Sequence, residues 1–257
     1  MTFGLHSRLD ETIAQVSNKI EAGNIYVNRN IIGAVVGIQP FGGSGLSGTG
    51  PKAGGPLYLG RLFARPRRKT FDGRPTMAAR AYLEWLRTEG RSDEARSCEQ
   101  HLSRSALGTE IELPGLVGER NIYLVRPRGV VAAVAQTERA LLIQIGAILA
   151  AGNRAIVQTS NPARAVFDRL PGEPRDQIRL VKDWREIDTV DAILFDGSAQ
   201  ELIALNKEVA QRRGPIIPVL VRASAGDDYD MDMLTKEISI STNTAAAGGN
   251  ASLTSIG

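Results

Sequence analysis

The sequence predicts an α/β protein. Its larger C-terminal part should form a mostly parallel, doubly wound sheet, preceded by a smaller separate piece over residues 1–60. Three observations predict this. Apolar runs alternate with helical periods between residues 119 and 221, which is the sequence form of strand–helix–strand units. Those runs are near-continuous in Val, Ile, Leu and Ala, as in strands covered on both faces. A basic stretch separates them from an N-terminal segment rich in glycine and proline.

The elements follow in order. Ser7 and Asp10 resemble a capping box, and Leu9, Ile13, Val16 and Ile20 recur at helical spacing, so residues 8–22 are expected to be an amphipathic helix stopped by Gly23. "NIYVN" (24–28) is β-branched and aromatic and reads as a short strand. "QPFGGSGLSGTGPKAGGP" (39–56) is irregular, because Pro40, Pro51 and Pro56 forbid regular structure. Beyond the basic stretch, residues 76–90 carry Tyr82, Leu83 and Leu86 on one helical stripe, and 92–106 form a second helix. "NIYLVRP" (121–127) and "GVVAAVAQ" (129–136) read as strands. Residues 138–153 read as a helix apolar almost all round and ended by Gly152. Then come a strand at "RAIVQTS", another at 190–198, a helix over 199–212 and a strand at "PIIPVLV" (215–221). The tail, 239–257, is small and polar and is expected to build no core of its own.

Composition narrows the function classes. Apolar residues make up 42% and charged residues 23%, ordinary for a globular chain. No apolar run reaches a membrane span and no secretory layout opens the chain. The single cysteine, Cys98, rules out an internal disulfide and fits a reducing cytoplasm. His6, His101 and Cys98 are too scattered for a zinc set, so no metal site is expected. The net charge of +3 is local: Arg61–Arg74 carries +5, leaving −2 for the rest. That stretch reads as a solvated linker over 61–75, not a nucleic-acid arm, since no recognition helix or aromatic platform follows it.

Gly43, Gly45 and Gly48 give the spacing G-x-G-x-x-G. A pyrophosphate cradle needs a strand before it and a helix after it, and "TGPKAGGP" cannot open a helix. A Walker loop fails too, because Pro51 precedes Lys52 and Ala53 stands where a hydroxyl belongs. The loop therefore reads as a packing or substrate-facing turn. On residues alone, Gly33 and Ala34 read as turn residues and Phe41 as core.

"EAGNIYVNRNIIGAVVGIQPFGGSGLSGTGPKAGGPLYL" resembles the C-terminal end of an aldehyde dehydrogenase catalytic domain, in which a strand leads to a P-F-G-G turn. Within that superfamily, "GAVVGIQPFGGSGLSGTGPKAGGPLYL" and the tail "NTAAAGGNASL" are similar to the proline utilization A family of bifunctional proline dehydrogenase / L-glutamate γ-semialdehyde dehydrogenases. The resemblance implies that Gly33 and Ala34 bind the substrate carboxylate through backbone N–H groups, as a nest does. It also implies that Phe41 packs on the aliphatic part of the substrate. It further implies that residues 1–60 are the C-terminal segment of the catalytic domain. Residues 76–257 would then be an aldehyde-dehydrogenase-like accessory domain with a tail motif at 239–257.

The resemblance also marks what these residues lack. The family's reaction needs a cysteine nucleophile, and nothing before the P-F-G-G turn supplies one. Cys98, in the charged stretch "DEARSCEQHLSRS", matches no catalytic motif; Glu94 and Glu99 are expected to raise its pKa. Gln158 and Thr159 stand where the family has K-P, and Asp196 replaces the threonine of F-T-G-S. The accessory domain is thus expected to keep the fold and bind no cofactor, with NAD and FAD belonging to the intact parent. The chain is expected to have no catalytic residue and to be inactive alone. It would contribute part of the L-glutamate γ-semialdehyde pocket and support the substrate channel, with the remainder of the catalytic domain as partner and a possible oligomer. The alternative is a free-standing structural module that complements a separate dehydrogenase chain.

Overall fold

The computed structural model describes residues 1–62, 73–222 and 228–245. Most of the basic linker of 61–75 and the tail beyond 245 lie outside them. In chain order the elements are β1 (Thr2–Leu5), α1 (Asp10–Lys19), β2 (Asn24–Val27), α2 (Met77–Thr88) and α3 (Ser92–Arg104), then β3 (Glu110–Leu113), β4 (Glu119–Pro127) and β5 (Val130–Val134). They continue with α4 (Glu138–Ala150), β6 (Arg154–Gln158), α5 (Asn161–Arg169), α6 (Gly172–Asp176), β7 (Ile178–Val181), β8 (Ala192–Phe195), α7 (Ala199–Val209), β9 (Val219–Val221) and β10 (Thr235–Asn243).

Two compact units form. Among the described residues, the first combines 1–62, 110–124 and 237–245. Its sheet runs β1-β2-β10-β4-β3. β2 pairs parallel with β1 on one side and with β10 on the other, Asn24 facing Ser239 and Ile25 facing Ile240. β3 and β4 form an antiparallel hairpin. Ala22, Ile25, Val27 and Ile238 make its small core, with Ile13 of α1 and Ile20 just after the helix packed against it. The expectation for the tail is corrected in one respect: residues 239–243 build no core alone but are laid into this sheet as part of β10. It is a central strand with Ser239 and Ser241 buried, because a strand flanked on both edges satisfies its backbone whatever its side chains. Ser7 is corrected as well: its hydroxyl accepts the Leu9 N–H at 3.1 Å, and α1 begins at Asp10 with no side-chain cap.

The second unit holds, among the described residues, 73–109, 125–222 and 228–236. Its sheet is all parallel in the order β7-β6-β5-β8-β9. Counted from β5, this is 3-2-1-4-5, five of the six strands of a doubly wound dinucleotide-binding sheet. Strand alternation sets its two faces. Val131, Ala133, Ala155, Val157, Ala192 and Leu194 pack into one core with α2, α3, α4 and α5. Ala132, Ile156, Ile193 and Phe195 pack into another with Leu205 and Val209 of α7. α4 is apolar all round because it is buried all round: residues 140–150 are enclosed, with α2 and α3 against it. Thr76, Thr137, Ser160 and Ser198 each cap the helix they precede. Gly152 turns the chain after α4 with φ +71°.

Candidate functional site

The glycine-rich loop of the first unit is a fixed structure, held by buried polar side chains at two points. The first anchor is Gln39, 4% exposed. Its Oε1 accepts the Val35 N–H at 3.1 Å. Its Nε2 faces Asn121 Oδ1 at 3.1 Å, Ser241 Oγ at 3.1 Å and Glu119 Oε2 at 3.2 Å. Arg29 joins the same cluster, donating to Ser241 Oγ at 2.7 Å and pairing with Glu119 at 2.6 Å. The second anchor is Asn24 with Lys52. Asn24 Nδ2 donates to the Pro40 carbonyl at 2.9 Å, and its Oδ1 accepts the Gly42 N–H at 3.1 Å. Lys52 Nζ donates to Asn24 Oδ1 at 2.8 Å and to the Gly42 carbonyl at 2.9 Å. Glu237 completes the set: it accepts the Lys52 N–H at 2.6 Å and the Tyr123 hydroxyl at 2.7 Å.

Gly33 and Ala34 sit in the turn next to the first anchor. Gly33 has φ +74°, a conformation glycine adopts without strain. The neighbouring amides are taken: Ile32 N–H by Asn30 Oδ1 at 2.8 Å and Val35 N–H by Gln39. Among the described residues, the Gly33 and Ala34 amides donate to no protein acceptor. Phe41 sits at the second anchor, half-buried, and exchanges both backbone hydrogen bonds with Ala53 at 3.0 and 2.9 Å. Flanking side chains of the same segment, Ile32 and Val36, point to solvent, Val36 at 97% exposure.

Sequence reasoning missed the anchors. Lys52 had a signal: it is the sole charged residue between Asn30 and Gly60. Asn24, Gln39 and Glu237 had none, since each is an ordinary polar residue whose partners lie far off in sequence. The lysine is also no phosphate ligand, because its amine points inward to Asn24 and Gly42. Burial pulls its pKa down to about 8 against the raising effect of the Glu237 carboxylate.

Cys98 lies on α3 in the core of the second unit, 1% exposed. Its thiol is pushed up to about 12, by burial first and by Glu99 second, with Arg87 opposing. Burial is the main cause; Glu99 raises the thiol pKa as expected, and Glu94 is not among the causes. A thiol so placed supplies no thiolate near neutral pH. His101 is buried on the same helix beside Asp228, at 3.0 Å. Among the described residues no group of three His, Cys, Asp or Glu could hold a metal ion.

A dinucleotide in a sheet of this order lies beyond the strand ends where the order reverses, between β5 and β8. The residues present there do not fit one. Glu201 already occupies the N-terminus of α7, accepting the Ser198 N–H at 2.8 Å, the Ser198 hydroxyl at 2.7 Å and Gln136 Nε2 at 2.9 Å. The Ser198 backbone bond holds its carboxyl below the usual range. The helix whose N-terminus receives a pyrophosphate in such a sheet follows the first strand; here that is α4, and its first turn carries Glu138.

The parallel sheet of the second unit and the P-F-G-G turn of the first are consistent with a fragment of an aldehyde dehydrogenase fold. Residues 2–63 match the model of the Aldehyde dehydrogenase family. The chain is 45% identical over 266 residues to the Bifunctional protein PutA of Rhizobium meliloti, a match covering 100% of this chain and 22% of that protein. It is 40% identical over 275 residues to the Bifunctional protein PutA of Escherichia coli K12, covering 100% and 21%. The 1-pyrroline-5-carboxylate dehydrogenase of Geobacillus kaustophilus is 46% identical over 59 residues, 23% of this chain and 12% of that one. Proline Utilization A from Corynebacterium freiburgense has a similar structure, with a TM-score of 0.64 at 24% identity over 95% of this chain and 23% of that one. The chain corresponds to the C-terminal part of the aldehyde dehydrogenase region of the PutA proteins and spans about a fifth of their length. Among the described residues no helix is long and apolar enough to cross a membrane.

Proposed function

We propose that this chain is the C-terminal part of a bifunctional proline-catabolic enzyme that converts proline to glutamate, and that its glycine-rich loop forms part of the L-glutamate γ-semialdehyde pocket. Similarity to PutA proteins along 100% of the chain carries the reading. The site adds chemical support. The Gly33 and Ala34 amides, framed by satisfied neighbours, suit an anionic carboxylate. Phe41, on a backbone pinned at both sides, offers a fixed apolar face to the aliphatic carbons.

Residues 1–60 then belong to the catalytic domain, and 61–75 is a linker. Residues 76–257 are read as a non-catalytic accessory domain that supports the substrate channel, with 239–257 as its tail motif; from within it, β3, the part of β4 up to Leu124 and β10 from Glu237 complete the sheet of the first unit. The cysteine nucleophile and the residues that bind NAD lie in the remainder of the dehydrogenase, which is the chain's partner. NAD supplies the hydride acceptor there, and FAD serves the proline dehydrogenase. The assembly acts in the cytoplasm and can oligomerise.

The experiment is complementation. The purified chain and the remainder of the dehydrogenase are assayed separately and together for NAD-dependent oxidation of the semialdehyde. Activity is expected only from the pair, and Phe41→Ala should raise KM for the semialdehyde. Turnover by this chain alone, or a Phe41→Ala pair kinetically equal to wild type, would contradict the reading.

A further inference from the structure

We propose that Lys52 is a positioning residue for the substrate-facing loop: from a buried seat, its Nζ ties the Gly42 carbonyl to Asn24 on β2 and so fixes where Phe41 stands. The inference rests on the reading above that this loop faces the semialdehyde.

The geometry leaves Phe41 little freedom. Asn24 holds the residue before it, through the Pro40 carbonyl, and the residue after it, through the Gly42 N–H. Lys52 holds the Gly42 carbonyl. Phe41 itself is paired with Ala53, the residue following Lys52. The backbone of Lys52 is fixed in turn by Glu237, and Glu237 by Tyr123. Packing is close: a Cβ at Gly42 would lie 3.1 Å from Lys52 Cγ, and one at Gly55 would lie 2.8 Å from Glu237 Oε1. A filler of the same length, such as methionine, would satisfy packing at no desolvation cost. An ammonium 1% exposed satisfies two acceptors that no apolar side chain could reach.

The charge gives the tie a pH dependence that packing alone lacks. The groups facing Lys52 are Glu237 from β10 and Asn24 from β2, with Tyr123 of β4 behind Glu237. In the closed loop its pKa is about 8, and an opened loop returns it toward the ordinary 10.5. The closed form therefore binds fewer protons over that interval, so rising pH favours closure. Between about pH 7 and about pH 9 the closing constant should increase roughly tenfold.

The test is amide hydrogen exchange of the full chain, read as protection factors at Phe41 and Ala53 after correction for intrinsic rates. Wild type should gain about tenfold protection across that range. Lys52→Met should show lower protection with no such rise. Protection flat with pH in wild type would overturn the proposal. So would equal protection in Lys52→Met. If Lys52→Met does not fold, titration of the Lys52 Nζ resonance decides in wild type: a midpoint at the ordinary lysine value overturns it. In the complemented dehydrogenase, Lys52→Met should raise KM for the semialdehyde more than it lowers kcat. An amide response with unchanged KM leaves the tie standing and overturns the substrate-facing reading of Phe41.

Discussion

Gly23→Ala is the sharpest probe of the loop. Gly23 lies just before β2, outside the left-handed region, so alanine's backbone preferences are not violated. Its hydrogen bonds hold it in place: Ser239 N–H donates to the Gly23 carbonyl at 3.0 Å, and the next residue's N–H reaches the Met1 carbonyl at 3.2 Å. A Cβ there would stand 2.0 Å from the Gly42 carbonyl oxygen and 2.9 Å from Lys52 Nζ. Real contacts of this kind stay beyond 3.0 Å, so the Gly42 carbonyl must retreat by about 1 Å. That stretches the 2.9 Å bond from Lys52 beyond hydrogen-bonding range and pulls the Gly42 N–H from Asn24. Losing a charged bond at ~1.5–3 kcal/mol and a neutral one at ~1 kcal/mol gives about 2.5–4 kcal/mol. Exchange at the Phe41 and Ala53 amides should rise by roughly two to three orders of magnitude. Gly33→Ala is the control. It has open space around its Cβ but φ +74°, so it should cost only ~1–2 kcal/mol, confined to its own turn. Exchange in Gly23→Ala within twofold of wild type would refute the close approach and the rigid loop with it.

Three further outcomes are expected. Cys98, buried and with a thiol pushed up to about 12, should resist thiol reagents at pH near 8 until the chain is unfolded; native-state labelling at the rate of a free thiol would contradict its placement. Thr137→Ala removes the hydroxyl that accepts the Ala140 N–H at 3.1 Å, and should lower the stability of the second unit by ~1 kcal/mol in urea unfolding, since its helix carries the core of that unit. Truncation after Lys236 removes most of β10 and should abolish protection of the loop amides while α4 stays protected, because neither core of the second unit contains a residue beyond 236; loop protection that survives the cut would be evidence against the anchors.

How much of this was legible in the sequence depended on how local the cause was. The strands at β5, β6 and β8 and the helix α4 announced themselves, because burial on all sides leaves an unbroken apolar run. β10 did not. "TKEISISTN" alternates small polar residues with two isoleucines, and its central place is imposed by partners on both edges. β1 was missed for a different reason: it is an edge strand of four residues, TFGL, too short to show a period. The cap at Ser7 was overread, since S-x-x-D fits many turns and here the hydroxyl bonds only two residues on. In the loop, the glycine and proline spacing identified the turn and, by resemblance, Gly33, Ala34 and Phe41. It could not identify Asn24, Gln39 or Glu237, whose roles come from side chains up to two hundred residues away.

The loop therefore belongs to a motif whose physical support lies outside it. The family match ends at residue 63, yet Gln39 is held by Asn121 and Ser241, and Lys52 by Glu237. A glycine-rich turn has high conformational entropy to lose, and residues 1–62 contain too few buried apolar side chains to offset it: Ala22, Ile25, Val27 and Leu57, with Tyr26. Order comes instead from polar groups that are buried and paired, where an unmade hydrogen bond is costly. The strands bearing those groups, β4 and β10, flank each other in the sheet, with β10 next to β2. β10 contributes both Glu237, to the Lys52 anchor, and Ser241, to the Gln39 anchor. One strand drawn from the far end of the chain thus fixes both turns of the candidate site, and any displacement of β10 acts on Phe41 and on the Gly33–Ala34 amides together.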